Sequence, residues 1–158
     1  MAETMLRDLG SYKNKIIAAL LQNSDLMECM LGVGYTEDQV DKIVYKQIFP
    51  YLYVDDTQTE TQSYIGIEID PTVPTNTIKD SKLIIWVYCH KDIMKYSKRG
   101  YTGTRADIIS DMIERTIRDM DLGIGKPEIL SAKYFIPSTK YYGRVLLFNI
   151  PDFKIKDR

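Results

Sequence analysis

Apolar and polar positions follow two different periods along this chain. In the first fifty residues the period is helical. Ile16, Ile17, Leu20 and Leu21 recur at helical spacing behind a candidate N-cap at Ser11, which predicts a first helix. Asn23 or Ser24 is placed to cap a short second helix ending at Gly32. Thr36-Glu37-Asp38-Gln39 has the form of a capping box. Val40, Ile43, Val44 and Ile48 follow as one apolar stripe, so a third helix is expected to run on until Pro50 stops it.

From Tyr51 the pattern changes. Residues 51–63 are polar, Thr-rich and acidic, with Asp55, Asp56 and Glu60 and no base. They have strand propensity but little to bury, which predicts an extended arm or long loop. The period then becomes two. Ile65, Ile67 and Ile69 alternate with Gly66, Glu68 and Asp70, the mark of a half-buried strand. Pro71, Pro74, Asn76 and Asp80 make residues 71–81 a loop. Leu83 to His90 is apolar on both alternating sets, as a central strand is. Residues 95–103 read as a basic, flexible loop. Thr104 then caps the clearest helix, with Asp107 at its third position. Ile109, Met112, Ile113, Ile117 and Met120 line one face of it, and Gly123 is a natural stop. Ile129 to Ile136 and Arg144 to Ile150 read as two strands of a long hairpin turning near Ser138, Thr139 and Lys140.

This order predicts one α+β domain over residues 1–158, with a mainly antiparallel sheet of about four strands and an amphipathic helix packed on one face. Residues 1–50 form its helical N-terminal region, 51–63 the arm, and 64–153 the core. At 158 residues the chain needs no disulfide or metal to fold. Lys plus Arg is 21 against 22 Asp plus Glu, a net charge of -1, which is not the footprint of a general DNA binder. Hydrophobic residues reach 44%, which argues against disorder. No apolar run is long enough to span a bilayer, and Met1-Ala2-Glu3-Thr4 does not open like a signal peptide. Cys29 and Cys89 lie in apolar-rich segments and read as buried free thiols in a reducing compartment. Tyr supplies 12 of the aromatic residues, against 4 Phe and 1 Trp, and Tyr is favoured at interfaces.

Catalytic chemistry finds little to use. His90 is the only histidine, so two-His metal sites are excluded, and the Cys/His set is too small for structural zinc. Cys89 and His90 are strand neighbours and point apart, which leaves Cys29 with His90 as the remaining Cys-His arrangement. A Ser-His-Asp set would need His90 as its base, and no Gly-x-Ser-x-Gly elbow exists. Gly123-Ile124-Gly125-Lys126 resembles the end of a phosphate loop. However, Met120 stands where the motif needs Gly, and Pro127 where it needs Ser or Thr. Gly32-Val33-Gly34 is a turn. The enzymatic alternative is a carboxylate set: Asp70, then Asp80 and Lys82. Two carboxylates can hold Mg²⁺ while a Lys orients the attacking water, as in metal-dependent nucleases. No cofactor or metal site is otherwise assigned. Two charged loops remain. Residues 51–63 carry only acids, and Lys95, Lys98, Arg99 and Arg105 carry only positive charge. Together they fit complementary surfaces on neighbouring copies, or separate contacts to acidic and basic partners.

Ile48-Phe49-Pro50-Tyr51 leads into the polar arm. Gly66-Ile67-Glu68-Ile69-Asp70, the strand Leu83–His90, the helix from Thr104 and the hairpin ending Gly143 to Phe153 follow it. This order, over roughly residues 35–153, resembles the small neck proteins of tailed bacteriophages, especially tail terminators (tail completion proteins). Head-completion and connector proteins are the near alternatives. The resemblance implies an α+β fold and a hexameric ring that caps the tail tube and joins it to the head. It implies a virion location, with assembly in the host cytoplasm. It also implies as partners further copies of the chain, the tail tube protein, the head–tail connector and a sheath where the tail has one. DNA would pass through without specific binding, and no membrane, cofactor or catalytic residue would be involved. An acidic arm lining the channel would keep DNA sliding. The candidate contact residues are Asp55, Asp56, Glu60, Lys98, Arg99, Tyr101, Tyr141 and Tyr142.

Overall fold

The segment that is apolar on both alternating sets does take the central place in the sheet. A computed structural model of the chain describes residues 5–55, 57–70, 81–98, 100–120 and 126–150. Helices α1 (Met5–Leu21), α2 (Ser24–Leu31) and α3 (Glu37–Asp41) come first, followed by strands β1 (Ile48–Phe49), β2 (Ser63–Asp70) and β3 (Ser81–His90). Then come β4 (Lys95–Lys98), β5 (Tyr101–Thr104), α4 (Arg105–Arg118), β6 (Glu128–Ser138) and β7 (Tyr141–Ile150). Five strands make the main sheet in the order β1-β2-β3-β7-β6, antiparallel except for β1 beside β2. The fold is α+β, as the pattern predicts.

Strand alternation decides the layers. Ile65, Ile67 and Ile69 of β2, Leu83, Ile85 and Val87 of β3, and Leu146 and Phe148 of β7 share one face. They form one core with Ile16 and Leu20 of α1, Leu26 of α2, and Ile109 and Ile113 of α4. Asn23 caps α2 by accepting the Leu26 N–H, and its own amide donates to Thr116 Oγ1 at 3.0 Å. One side chain thus starts a helix and ties it to α4. Thr104 is the N-cap of α4 without a side-chain capping bond, while Asp107 pairs with Arg144 on β7. No helix among the described residues is long and apolar enough to cross a membrane.

The structure departs from the sequence pattern in three places. The capping box at Thr36 and Gln39 forms, but α3 ends at Asp41 instead of running toward Pro50. Tyr45, at φ 67°, reverses the chain, and Ile43 and Ile48 still reach the core. A helical stripe is satisfied here by a turn followed by a strand. Ile48 begins β1, so the sheet has five strands rather than about four. Gln47 secures that junction: its side-chain amide donates to Ser63 O at 3.1 Å, and its backbone carbonyl accepts the Ile65 N–H at 2.8 Å. The basic loop at 95–103 is instead the β4–β5 hairpin, turning at Gly100 with φ 86°. Arg105 holds this hairpin against α2. Its guanidinium donates to Ile93 O at 2.6 Å and Cys29 O at 2.5 Å, and lies 4.7 Å from the Tyr96 ring centre. Of the loop expected at 71–81, residues 71–80 lie outside the described residues, as do Asp56, Arg99 and the Gly123 stop, and Ser81 already begins β3.

Candidate functional site

The sheet face turned away from the helices carries its own aromatic cluster. Phe49, Tyr64, Tyr88 and Tyr141 are buried there, with Tyr53 and Phe135 against them. Tyr64 stacks on Tyr88 at 5.0 Å between ring centres, and Phe49 on Tyr53 at 4.4 Å. The acidic arm is a loop, and it lies on this cluster instead of standing free. The Tyr88 hydroxyl donates to Tyr53 O, and the Tyr141 hydroxyl to Glu60 O at 2.6 Å. Gly66 lets the arm come close: a Cβ there would sit 2.9 Å from Tyr51 O and 3.2 Å from Leu52 Cα. Burial, with smaller effects of Tyr64 and Glu60, pushes the Tyr141 hydroxyl up to about 12, and burial raises Tyr88 as well. Both remain protonated donors at neutral pH. In the arm, the Thr57 backbone N–H and then its hydroxyl hold Asp55 below the usual carboxylate range.

The contact residues expected from the sequence separate into inner and outer groups. Tyr141 is 2% exposed and clamps the arm inside the subunit. Tyr142 faces the helices and packs on the core. Tyr101 is half-buried, and Lys98 pairs with Glu28 at 2.8 Å. Asp55 and Glu60 are exposed. Asp70 and Lys82 stand opposite each other on β2 and β3, and Lys82 Nζ donates to Asn149 Oδ1 at 2.9 Å. Asp80 lies outside the described residues. No three His, Cys, Asp or Glu side chains gather as a metal set among the described residues. Cys29 and Cys89 are free and buried, as expected, and burial pushes the Cys89 thiol up to about 12. His90 is a strand-end cap whose Nδ1 accepts the Asp92 N–H at 3.1 Å.

The two ends of the sheet differ. At one end β2 is well covered. β1 pairs with Ile65 and Gly66. The Glu68 carboxylate accepts the Ile69 N–H at 3.0 Å and meets Lys13 at 2.5 Å. Just beyond, the arm and the Tyr45 turn expose Tyr45 (65%), Tyr51, Leu52 and Val54. At the other end the 11-residue β6 pairs, among the described residues, only with β7, and it exposes Ile129, Leu130 (52%), Tyr134 (69%) and Ile136. Apolar groups clustered on a long open edge make a surface that association can cover. Sequence reasoning placed the strand but missed the surface, because being last in the sheet is a matter of topology. The available signal is that Ile129 and Leu130 are adjacent, so one of them must face away from the core. A family model described as YomW matches residues 14–150 of the chain. No curated protein and no solved structure matches it.

Proposed function

The chain belongs to the YomW family, and from that premise we propose that it is a phage protein and a structural subunit of a phage virion neck, of the tail-terminator type. It builds a ring, hexameric in this reading, that caps the tail tube, joins the head connector and lets DNA pass. The observation that carries this is the open, apolar β6 edge. Such an edge is an aggregation hazard unless something covers it, and a second copy covers it in an assembly. The near-neutral net charge favours passage of DNA over gripping it. Its partners are then the tail tube protein, the connector and any sheath, and its work is assembly rather than catalysis. A head-completion role in the same neck is the near alternative.

Light scattering on the purified protein, alone and with its tail tube protein, tests this. A hexamer in either condition supports the ring. A strict monomer in both overturns it. DNA cleavage that needs Mg²⁺ and is lost in Asp70→Ala or Lys82→Ala replaces it with the nuclease reading.

A further inference from the structure

A closed ring needs two different surfaces on each subunit, one for each neighbour. Resting on the ring assembly proposed above, we infer that the arm of one copy, residues 51–60, docks along the outer edge of β6 of the next copy. Both surfaces are apolar and exposed. The arm end offers Tyr45, Tyr51, Leu52 and Val54, and the β6 end offers Leu130, Tyr134 and Ile136. Tyr51 and Leu52 lie over Gly66 of β2, toward the β1 end of the sheet, and β6 is the strand at the other end, while the rest of the arm crosses the aromatic face over β3 and β7. Joining one to the other links copies head to tail.

Charge matches the same pairing. Residues 51–63 carry three acids and no base, whereas residues 126–140 carry Lys126, Lys133 and Lys140 against Glu128 alone. All three lysines are exposed, as are Asp55 and Glu60. Opposed patches of this kind set the register of an interface and steer its formation. The backbone fits too. Among the described residues the outer edge of β6 has no strand beside it, and residues 52–55 belong to no regular element. Main-chain pairing between them would extend the sheet from one subunit into the next. Tyr45, Phe49 and Tyr51 wall an open groove of about 530 Å³ beside the arm. That groove is a seat for a large side chain, and Tyr134 is the most exposed one on the β6 edge. In this arrangement the acidic arm lies between subunits rather than lining the channel.

Two variants test the pairing, each disabling one surface. Leu130→Glu places an acid on β6 against the arm's acids. Leu52→Glu puts a charge into the arm's apolar contact. Each must keep the wild-type melting temperature; Ile136→Glu or Val54→Glu replaces a variant that does not. Assembly is read by native mass spectrometry, with tail tube protein present where the wild type needs it. Each variant alone should associate at least tenfold more weakly than wild type. An equimolar mixture should form a dimer and stop there, because each variant keeps one intact surface. Assembly of either variant alone as in wild type, or a mixture that stays monomeric, overturns the pairing. Wild-type rings that survive both substitutions overturn this interface and leave the ring standing. A wild type monomeric under every condition overturns both.

Discussion

Replacing Gly66 by Val tests whether the arm is held by the sheet or merely lies beside it. Valine suits a strand better than glycine, so β2 by itself should gain about 0.5–1 kcal/mol. The new Cβ, however, would stand 2.9 Å from Tyr51 O and 3.2 Å from Leu52 Cα, both backbone atoms. No rotamer change relieves that contact, and the two Cγ atoms extend it. The arm must lift. Lifting forfeits the hydroxyl bonds from Tyr88 to Tyr53 O and from Tyr141 to Glu60 O, each about 1 kcal/mol net. It also breaks the Phe49–Tyr53 stack, worth about 1 kcal/mol. The arm's closed state should therefore weaken by roughly 3 kcal/mol, or about a hundredfold. Hydrogen exchange reads this directly. The amides of Thr57, Gln58 and Gln62 are bonded within the arm at 2.9, 2.9 and 3.0 Å. They should exchange about a hundredfold faster, while β3 and β7 keep their protection. Unchanged exchange in the arm, together with a raised melting temperature, would refute the reasoning and show that the arm's order comes from elsewhere.

Two further outcomes follow from the same geometry. A Cβ on Gly143 would run into Val87 O and fall 2.6 Å from Tyr88 Cα, between β7 and β3. Gly143→Ala should therefore cost at least 3 kcal/mol and leave the protein largely unfolded in a thermal melt. Alkaline stability should also fall. Tyr141 titrates near 10 when unfolded and near 12 in the fold. Its contribution is full below pH 10 and is lost as pH rises from 10 to 12, at no more than about 1.4 kcal/mol per pH unit. Urea midpoints measured across that range should decline, and less steeply in Tyr141→Phe.

Elements whose period matched their burial were legible in the sequence. The α4 stripe from Ile109 to Ile117, the alternation of Ile65, Ile67 and Ile69, and the two-sided Leu83–His90 each have one satisfactory reading. The stripe Val40, Ile43, Val44 and Ile48 had two, a helix or a turn and strand, and the positive φ at Tyr45 decides between them. The β4–β5 hairpin was hidden because its residues bury little. Arg105, reaching from α4 to Ile93 and Cys29, holds it in place. The site was legible in part. Of the arm's acids, Asp55 and Glu60 are exposed, and Tyr141, expected at a subunit contact, bonds the arm 81 residues earlier in the chain. Long-range hydrogen bonds of this kind leave no periodic trace.

The position of β3 has a consequence for how the chain is made. β3 is apolar on both faces and pairs with β7 from end to end, Ser81 opposite Ile150. During synthesis it emerges long before β7 does. In that interval one edge of an apolar strand has no partner, and the core that α4 helps to form is open on its β7 side. Non-local pairings of this kind fold slowly and expose the nascent chain to misassembly. The pairing of β7, rather than of the helices, therefore sets the moment at which the core of the subunit closes.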